Sequence, residues 1–116
     1  MARFVGPLTV TKVGERLWQV ERSFSYYIGK EEIEYVIVPQ GFLTDFASVP
    51  KGFWNIFPPD GEYTQAAVLH DFCCTTNSFP QLKTDRIFYE AMGVLGVPKW
   101  KRIIMYCAVR VWHGFR

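Results

Sequence analysis

His70 and Asp85 are the residues of this sequence whose types and spacing best fit acid–base chemistry. Both fall in segments predicted to be helical, fifteen positions apart. Helical spacing places three residues of low polarity on the same face as the imidazole: Tyr63, Ala67 and Cys74. Asp85 heads an apolar stripe on the next helix, where a carboxylate buried alone would be costly. We therefore expect His70 and Asp85 to lie within hydrogen-bond distance of each other.

The pair has two interpretations. In the first, Asp85 fixes the tautomer of His70, and the other ring nitrogen takes a proton from water, as in a hydrolase. In the second, the two side chains form a buried pair that fixes the packing of two helices. Spacing alone does not separate a catalyst from a structural pair, so both interpretations stay open at this point.

Two further aspartates are candidate ligands of a divalent cation such as calcium. Asp71 points about a quarter-turn away from His70 on the same helix, so the two side chains can flank one substrate. Asp45 lies in a segment rich in Gly and Pro, whose backbone carbonyls can add the oxygen ligands that hard cations prefer. Alternatively, Thr44, Asp45 and Ser48 hydrogen-bond nearby backbone amides and fix a turn.

Composition restricts the class of protein. The chain has 116 residues, of which 49% are hydrophobic and 17% aromatic, which excludes intrinsic disorder and suits one domain spanning 1–116. No apolar run is long enough to cross a membrane, and the first residues lack the apolar region of a signal peptide. The three cysteines show no C-x-x-C spacing, so we expect reduced core cysteines in a reducing cytoplasm.

The charge is unevenly distributed although the formal net charge is only +2. Residues 91–116 contain five basic residues and no acidic residue. We interpret them as a solvated helix face, because no nucleic-acid-binding motif accompanies the charge, and nucleic acid is therefore not an expected partner. The polarised charge and the many aromatic side chains instead predict self-association or a bound protein partner.

The elements that position these residues indicate an α+β fold. Alternating apolar residues and turn residues over 1–43 predict an antiparallel β-meander of three or four strands, including one strand over 17–24. Residues 44–61 predict a long structured loop, because they combine three prolines and two glycines with several aromatic residues. Residues 62–116 are predicted to be helical, and strands followed by helices are typical of the α+β class.

Three packed helices are predicted in 62–116. The first spans about 62–74, the second about 83–95, and the third follows Pro98, which suits the first turn of a helix. The third helix is amphipathic. Its apolar stripe consists of Trp100, Ile103, Ile104, Cys107, Ala108 and Val111, and its polar stripe of Lys99, Arg102, Tyr106 and Arg110.

Several motifs occur in order along residues 4–114: LTDFASVP at 43–50, Leu69-His70-Asp71, Thr84-Asp85 with Phe88 and Met92, and residues 105–110. This order resembles the family called domain of unknown function 1353, which is found mostly in tailed-phage and prophage genomes. The resemblance implies a small phage protein, located in the virion or in the cytoplasm of the host bacterium. Its expected role is that of a tail-associated structural or interaction component, with other virion proteins or a second copy as partners.

The segment His70-Asp71-Phe72, followed by Asp85, is also similar to the helix pair of secreted and bacterial phospholipases with a His-Asp dyad. That resemblance implies His70 as general base, Asp85 as the residue that orients it, and Asp71 and Asp45 as calcium ligands. The alternative function is therefore a metal-assisted, lipase- or esterase-like hydrolase. The sequence departs from these enzymes at Cys74, where they usually have tyrosine, and it lacks their disulfide framework.

Overall fold

The computed structural model describes residues 1–15, 17–44 and 63–112. The chain divides into two compact units, Met1–Phe46 and Ala47–Arg116. The described part of the first unit contains strands, and that of the second contains helices, which confirms the α+β class with N-terminal strands. Apart from Thr44, the predicted loop over 44–61 lies outside the described residues. That 1–116 form a single domain stays a prediction.

The first unit contains two antiparallel sheets of three strands each. The six strands are β1 (Arg3–Val5), β2 (Val10–Gly14), β3 (Leu17–Val20), β4 (Phe24–Ile28), β5 (Glu34–Val38) and β6 (Leu43–Thr44). One sheet has the order β1-β4-β5 and the other the order β2-β3-β6. In the first sheet, the side chains of Phe24, Tyr26, Val36 and Val38 are buried, whereas Tyr35 and Ile37 are exposed. This alternation is that of strands with one buried face.

The prediction of a single meander of three or four strands is wrong in its details. The predicted strand over 17–24 ends at Val20, whose backbone N–H donates to the carbonyl of Phe42 at 2.8 Å and whose carbonyl accepts from Gly41 at 2.7 Å. The chain then leaves this sheet and begins β4 in the other sheet at Phe24. Val20 and Phe24 are both buried and four residues apart, so the period of two continues through the break and conceals it.

The second unit contains three helices, as predicted, with ends shifted by about two residues. They are α1 (Thr64–Thr76), α2 (Gln81–Val94) and α3 (Lys99–Trp112). Helix α1 packs against α2, and α2 packs against α3. Short connections make sequential helices antiparallel neighbours. The core of the described helices consists of apolar side chains that are fully buried, among them Leu69, Phe88, Met92, Met105 and Val109. In the described part of the chain, no helix is long and apolar enough to cross a membrane.

Helix α3 corrects the expectation of a solvated basic face at Arg110, whereas Lys99 is exposed as expected. Arg110 is only 7% exposed, and Met105 and Val109 of the same helix are fully buried. The apolar stripe faces solvent instead, with exposed fractions of 58% for Trp100, 45% for Ile103, 40% for Ile104 and 67% for Val111. All three cysteines are free, but Cys107 belongs to this exposed stripe and is not a core residue.

Helix α1 ends at Thr76, two residues later than predicted, and Asn77 terminates it. This residue has the left-handed conformation, φ 52° and ψ 39°, and its backbone N–H donates to the carbonyl of Cys73. The N–H of Ser78 donates to the same carbonyl at 3.3 Å. Asparagine and glycine are the residues that most readily adopt this conformation after a helix.

We expect Asn77→Ala to lower the free energy of unfolding by about 1 kcal/mol, because a Cβ without a polar partner disfavours the left-handed region. Asn77→Gly keeps the conformation accessible, and its stability should match or exceed that of the wild type. Urea unfolding followed by circular dichroism measures both. Equal losses in the two variants would contradict the role assigned to this backbone conformation.

Candidate functional site

Helices α1 and α2 bring His70 and Asp85 into contact. The imidazole Nε2 lies 2.6 Å from the carboxylate Oδ1 of Asp85, which confirms the predicted pairing. His70 is 1% exposed and Asp85 is fully buried. The sequence therefore located a real contact, although its catalytic role stays a prediction.

Asp85 is the ionised acceptor of this pair. Burial raises the pKa of its carboxyl, but hydrogen bonds from His70, Arg110 and Gln81 outweigh burial and lower the pKa from 3.8 to about 2. An ionised carboxylate accepts hydrogen bonds only, so the proton between the two side chains belongs to Nε2 of His70. The imidazole thus acts as a donor toward Asp85.

Arg110 and Gln81 complete the network around the carboxylate. Arg110 Nη1 donates to Oδ2 of Asp85 at 2.8 Å, and Gln81 Nε2 donates to Oδ1 at 3.0 Å. Asp85 is therefore held by one donor from α1, one from its own helix and one from α3. We refer to His70, Gln81, Asp85 and Arg110 as the buried network.

Arg110 was expected only as part of the polar stripe of α3, but the pairing of two antiparallel helices contains a signal for its contact with Asp85. Helices α2 and α3 are joined by a short connection and run antiparallel. Residues four positions apart along α2 therefore face residues four positions apart along α3, in the reverse order. Three contacts recur at this interval: Asp85 with Arg110, Tyr89 with Tyr106, and Gly93 with Arg102. A hairpin register anchored at any one of them would have placed Arg110 opposite Asp85.

The aromatic ring of Phe88 lies against the imidazole. The two ring centroids are 4.7 Å apart and the planes differ by 33°. Together with the burial of His70, this contact encloses the imidazole. A general base must come within hydrogen-bond distance of the proton that it removes. A substrate would therefore reach His70 only after a neighbouring element had moved.

Cys74 lies close to the imidazole without the properties of a nucleophile. Its Sγ is 3.8 Å from Nε2 and 3.9 Å from Nδ1 of His70, so it is in line with neither ring nitrogen. Burial raises the pKa of the Cys74 thiol, and the charges of Asp85 and Asp71 add to this, although the hydrogen bond from Gln81 opposes it. The reactive form of cysteine is the thiolate, and this environment disfavours it.

Of the two predicted cation ligands, Asp71 lies among the described residues and Asp45 does not. Asp71 follows His70 on α1 and is partly exposed. Among the residues that the structure describes, no three His, Cys, Asp or Glu side chains form a group suited to a metal ion. A calcium site at Asp71 and Asp45 stays a prediction.

The fold and the buried network define a small α+β protein whose helices share one enclosed carboxylate. Residues 18–109 match the model of the family described as "Protein of unknown function (DUF1353)", and the chain belongs to this family. It is 46% identical over 74 residues to the uncharacterized protein y4jT of Sinorhizobium fredii (strain NBRC 101917 / NGR234). The match covers 62% of this chain and 22% of that relative, so the chain corresponds to less than a quarter of its length. No solved structure matches the chain.

We expect Arg110→Met to lower the free energy of unfolding by about 3 kcal/mol, near the lower end of the cost of breaking a buried ion pair. Methionine keeps much of the apolar stem but removes the guanidinium, so Asp85 loses its cationic partner. Arg86→Met, at an exposed position of α2, is the matched control and should change stability by less than about 0.5 kcal/mol. Urea unfolding at pH 7 compares them, and similar losses in both variants would contradict a dominant role of the network.

Asp85 should make the stability of the fold pH-dependent in acid. A carboxyl whose pKa is lowered by folding stabilises the protein above its unfolded pKa, and this contribution disappears as the pH falls through the folded pKa of about 2. We expect a loss on the order of 2 kcal/mol from this group between about pH 4 and pH 2. Asp85→Asn should flatten the profile in this range, whereas Glu31→Gln, at an exposed position, should not. Identical pH profiles of the two variants would contradict this account.

Proposed function

We propose that this protein is a structural and interaction component of a phage particle, associated with the tail. The observation that carries the proposal is the exposure of apolar side chains on both units. In the first unit, Val5, Tyr35 and Ile37 lie on one face of the sheet β1-β4-β5 and are exposed, and the apolar stripe of α3 is exposed in the second. Contiguous exposed apolar surfaces mark sites of protein association. The phage setting rests on the motifs that resemble the family.

The buried network supports the same proposal. Its polar groups bond to one another across three helices, and the imidazole is enclosed. An arrangement of this kind fixes the register of helices, which is the best-attested role of buried ionic groups. We therefore assign the network to the scaffold that presents the apolar surfaces.

A hydrolase is the second candidate, and the 2.6 Å contact between His70 and Asp85 is the observation that favours it. In this candidate, His70 would activate water while Asp71, with Asp45, would hold a divalent cation that polarises an ester carbonyl. The enclosure of His70 and the engagement of Asp85 by Arg110 weigh against it.

Quantitative mass spectrometry of density-gradient-purified particles tests the proposal, using a phage or induced prophage that encodes this chain. We expect the chain to co-purify with infectious particles in a constant ratio to the major tail protein. A deletion of its gene should give particles that lack it and that assemble or adsorb poorly. Recovery of the chain only in the particle-free lysate would overturn the proposal.

An ester-cleavage assay separates the two candidates. We expect no turnover of short- or long-chain fluorogenic esters by the purified protein with calcium, manganese or zinc, and no difference between the wild type and Asp71→Asn. Asp71 is partly exposed, so Asp71→Asn should fold. It is therefore a better test than His70→Gln, which replaces a buried side chain. Metal-dependent turnover that is lost in Asp71→Asn would establish the hydrolase instead.

A further inference from the structure

The exposed side of α3 carries a row of apolar side chains from Trp100 to Val111. We name as the α3 face the side chains that form it: Trp100, Ile103, Ile104, Cys107 and Val111. In an ordinary amphipathic helix such residues face the core. Resting on the proposed function, we infer that the α3 face is the docking site for an acidic amphipathic helix of a partner protein.

The spacing of the α3 face fits a helix as the occupant. Trp100, Ile104, Cys107 and Val111 follow one another at intervals of four, three and four residues. This is the spacing of the core positions of two helices that pack side by side. The helix has 14 residues, so the seam is about 20 Å long and matches about two heptads of a partner.

The size of the α3 face supports a functional surface. The fractions exposed at Trp100, Ile103, Ile104 and Val111 correspond to on the order of 400 Å² of apolar area. The largest apolar patch on a monomeric protein has about this size and is often functional.

The charge around the α3 face selects an acidic partner. Helix α3 contains four basic residues and no acidic residue. Arg110 is bound by Asp85, and the Nε of Arg102 donates to the carbonyl of Val97 at 3.0 Å. The ammonium group of Lys101 lies 5.6 Å from the ring centroid of Trp100, and Lys99 lies at the exposed start of the helix. A second copy of α3 would bring only further cations to the edge of the α3 face. Glutamate or aspartate beside the partner's apolar residues would instead complement the positive charge there.

A cleft beside Ile103 gives the acidic partner a specific contact. Arg86 and Tyr89 from α2 line it together with Ile103 and Tyr106 from α3, and its volume is about 270 Å³. Arg86 is exposed there, so its guanidinium can pair with a carboxylate that enters from the α3 face. The cleft therefore places a cationic group, Arg86, beside the apolar side chains of the α3 face.

Two synthetic 21-residue helical peptides are suitable probes, both with leucine at the core positions of each heptad. One has glutamate at the flanking positions and the other has lysine. Binding to the full chain is measured by fluorescence anisotropy. We expect the dissociation constant of the glutamate peptide to be at least tenfold lower than that of the lysine peptide. In the Arg86→Met variant, the difference between the two dissociation constants should be smaller.

Ile104→Glu is the variant that tests the face, and Ile33→Glu is its matched control. Ile33 is 75% exposed and lies in the other unit, so both variants add the same charge at an exposed isoleucine. Ile104→Glu should weaken binding of the glutamate peptide at least tenfold, whereas Ile33→Glu should leave it within twofold. Equal effects of the two substitutions, or equal binding of the two peptides, would overturn the inference.

Cys107 reports directly on whether the α3 face is open. It is exposed, whereas Cys73 is buried with its pKa raised to about 12, and the pKa of the partly buried Cys74 is also raised. Iodoacetamide should therefore alkylate Cys107 first in the free protein, and the glutamate peptide should slow that reaction at least tenfold. Protection in a free monomer would show that the chain covers the face itself and would overturn the inference. A dimer cross-linked through Cys107 would assign the face to a second copy and would also overturn it.

The outcomes for the docking site and for the proposed function are distinguishable. If the chain is present in purified particles but neither peptide binds, the docking inference fails and the proposed function stands. If the glutamate peptide binds through the α3 face but the chain is absent from particles, the surface is a genuine docking site in a protein with another role.

Discussion

The carboxylate of Asp85 is the constraint on which the helical unit depends. Because it is fully buried and its pKa is about 2, it carries a charge that must be matched inside the protein. His70, Gln81 and Arg110 each direct one donor at it, so α1, α2 and α3 are all fixed relative to one atom group. Buried ion pairs add little net stability compared with apolar packing, but they penalise any register that leaves a charge unmatched. The network therefore specifies one arrangement of the three helices.

The exposure of the α3 face follows from the same constraint. The contact of Arg110 with Asp85 and the burial of Met105 and Val109 fix the rotation of α3. The apolar stripe, which lies opposite Met105 and Val109, then faces solvent. At about 25 cal/mol per Å², the roughly 400 Å² left exposed represents on the order of 10 kcal/mol of transfer free energy. This is comparable to the cost of bringing two molecules together. Apolar contact alone would thus bind weakly, and charge complementarity at Lys99 and Arg86 would decide which partner is held.

The sequence was informative where one residue conflicted with its local pattern and uninformative where a pattern continued unchanged. Asp85 on an apolar stripe required a partner, and that requirement led to His70. Pro98 located the start of α3, which begins at the next residue. In contrast, the two-residue period of apolar side chains continues from Val20 to Phe24 although the chain passes from one sheet to the other. The sequence pattern therefore contains no sign that β3 ends at Val20. Arg110 lies on a stripe whose basic residues are typical of a solvated face. Its partner, Asp85, is close in space but distant in sequence, so this pattern does not indicate the contact.

The surroundings of the aspartate, more than the His–Asp contact itself, distinguish a structural pair from a catalytic one. In a catalytic arrangement, the aspartate stabilises the imidazolium that forms when histidine takes a proton, and the second ring nitrogen faces the substrate. Here Arg110 shares the charge of Asp85, so less of it is available to a developing imidazolium. Phe88 also covers the ring, and Cys74 stands beside it with a thiol that favours its protonated form. We therefore propose that the same two residue types, at the same short distance, serve helix packing in this chain.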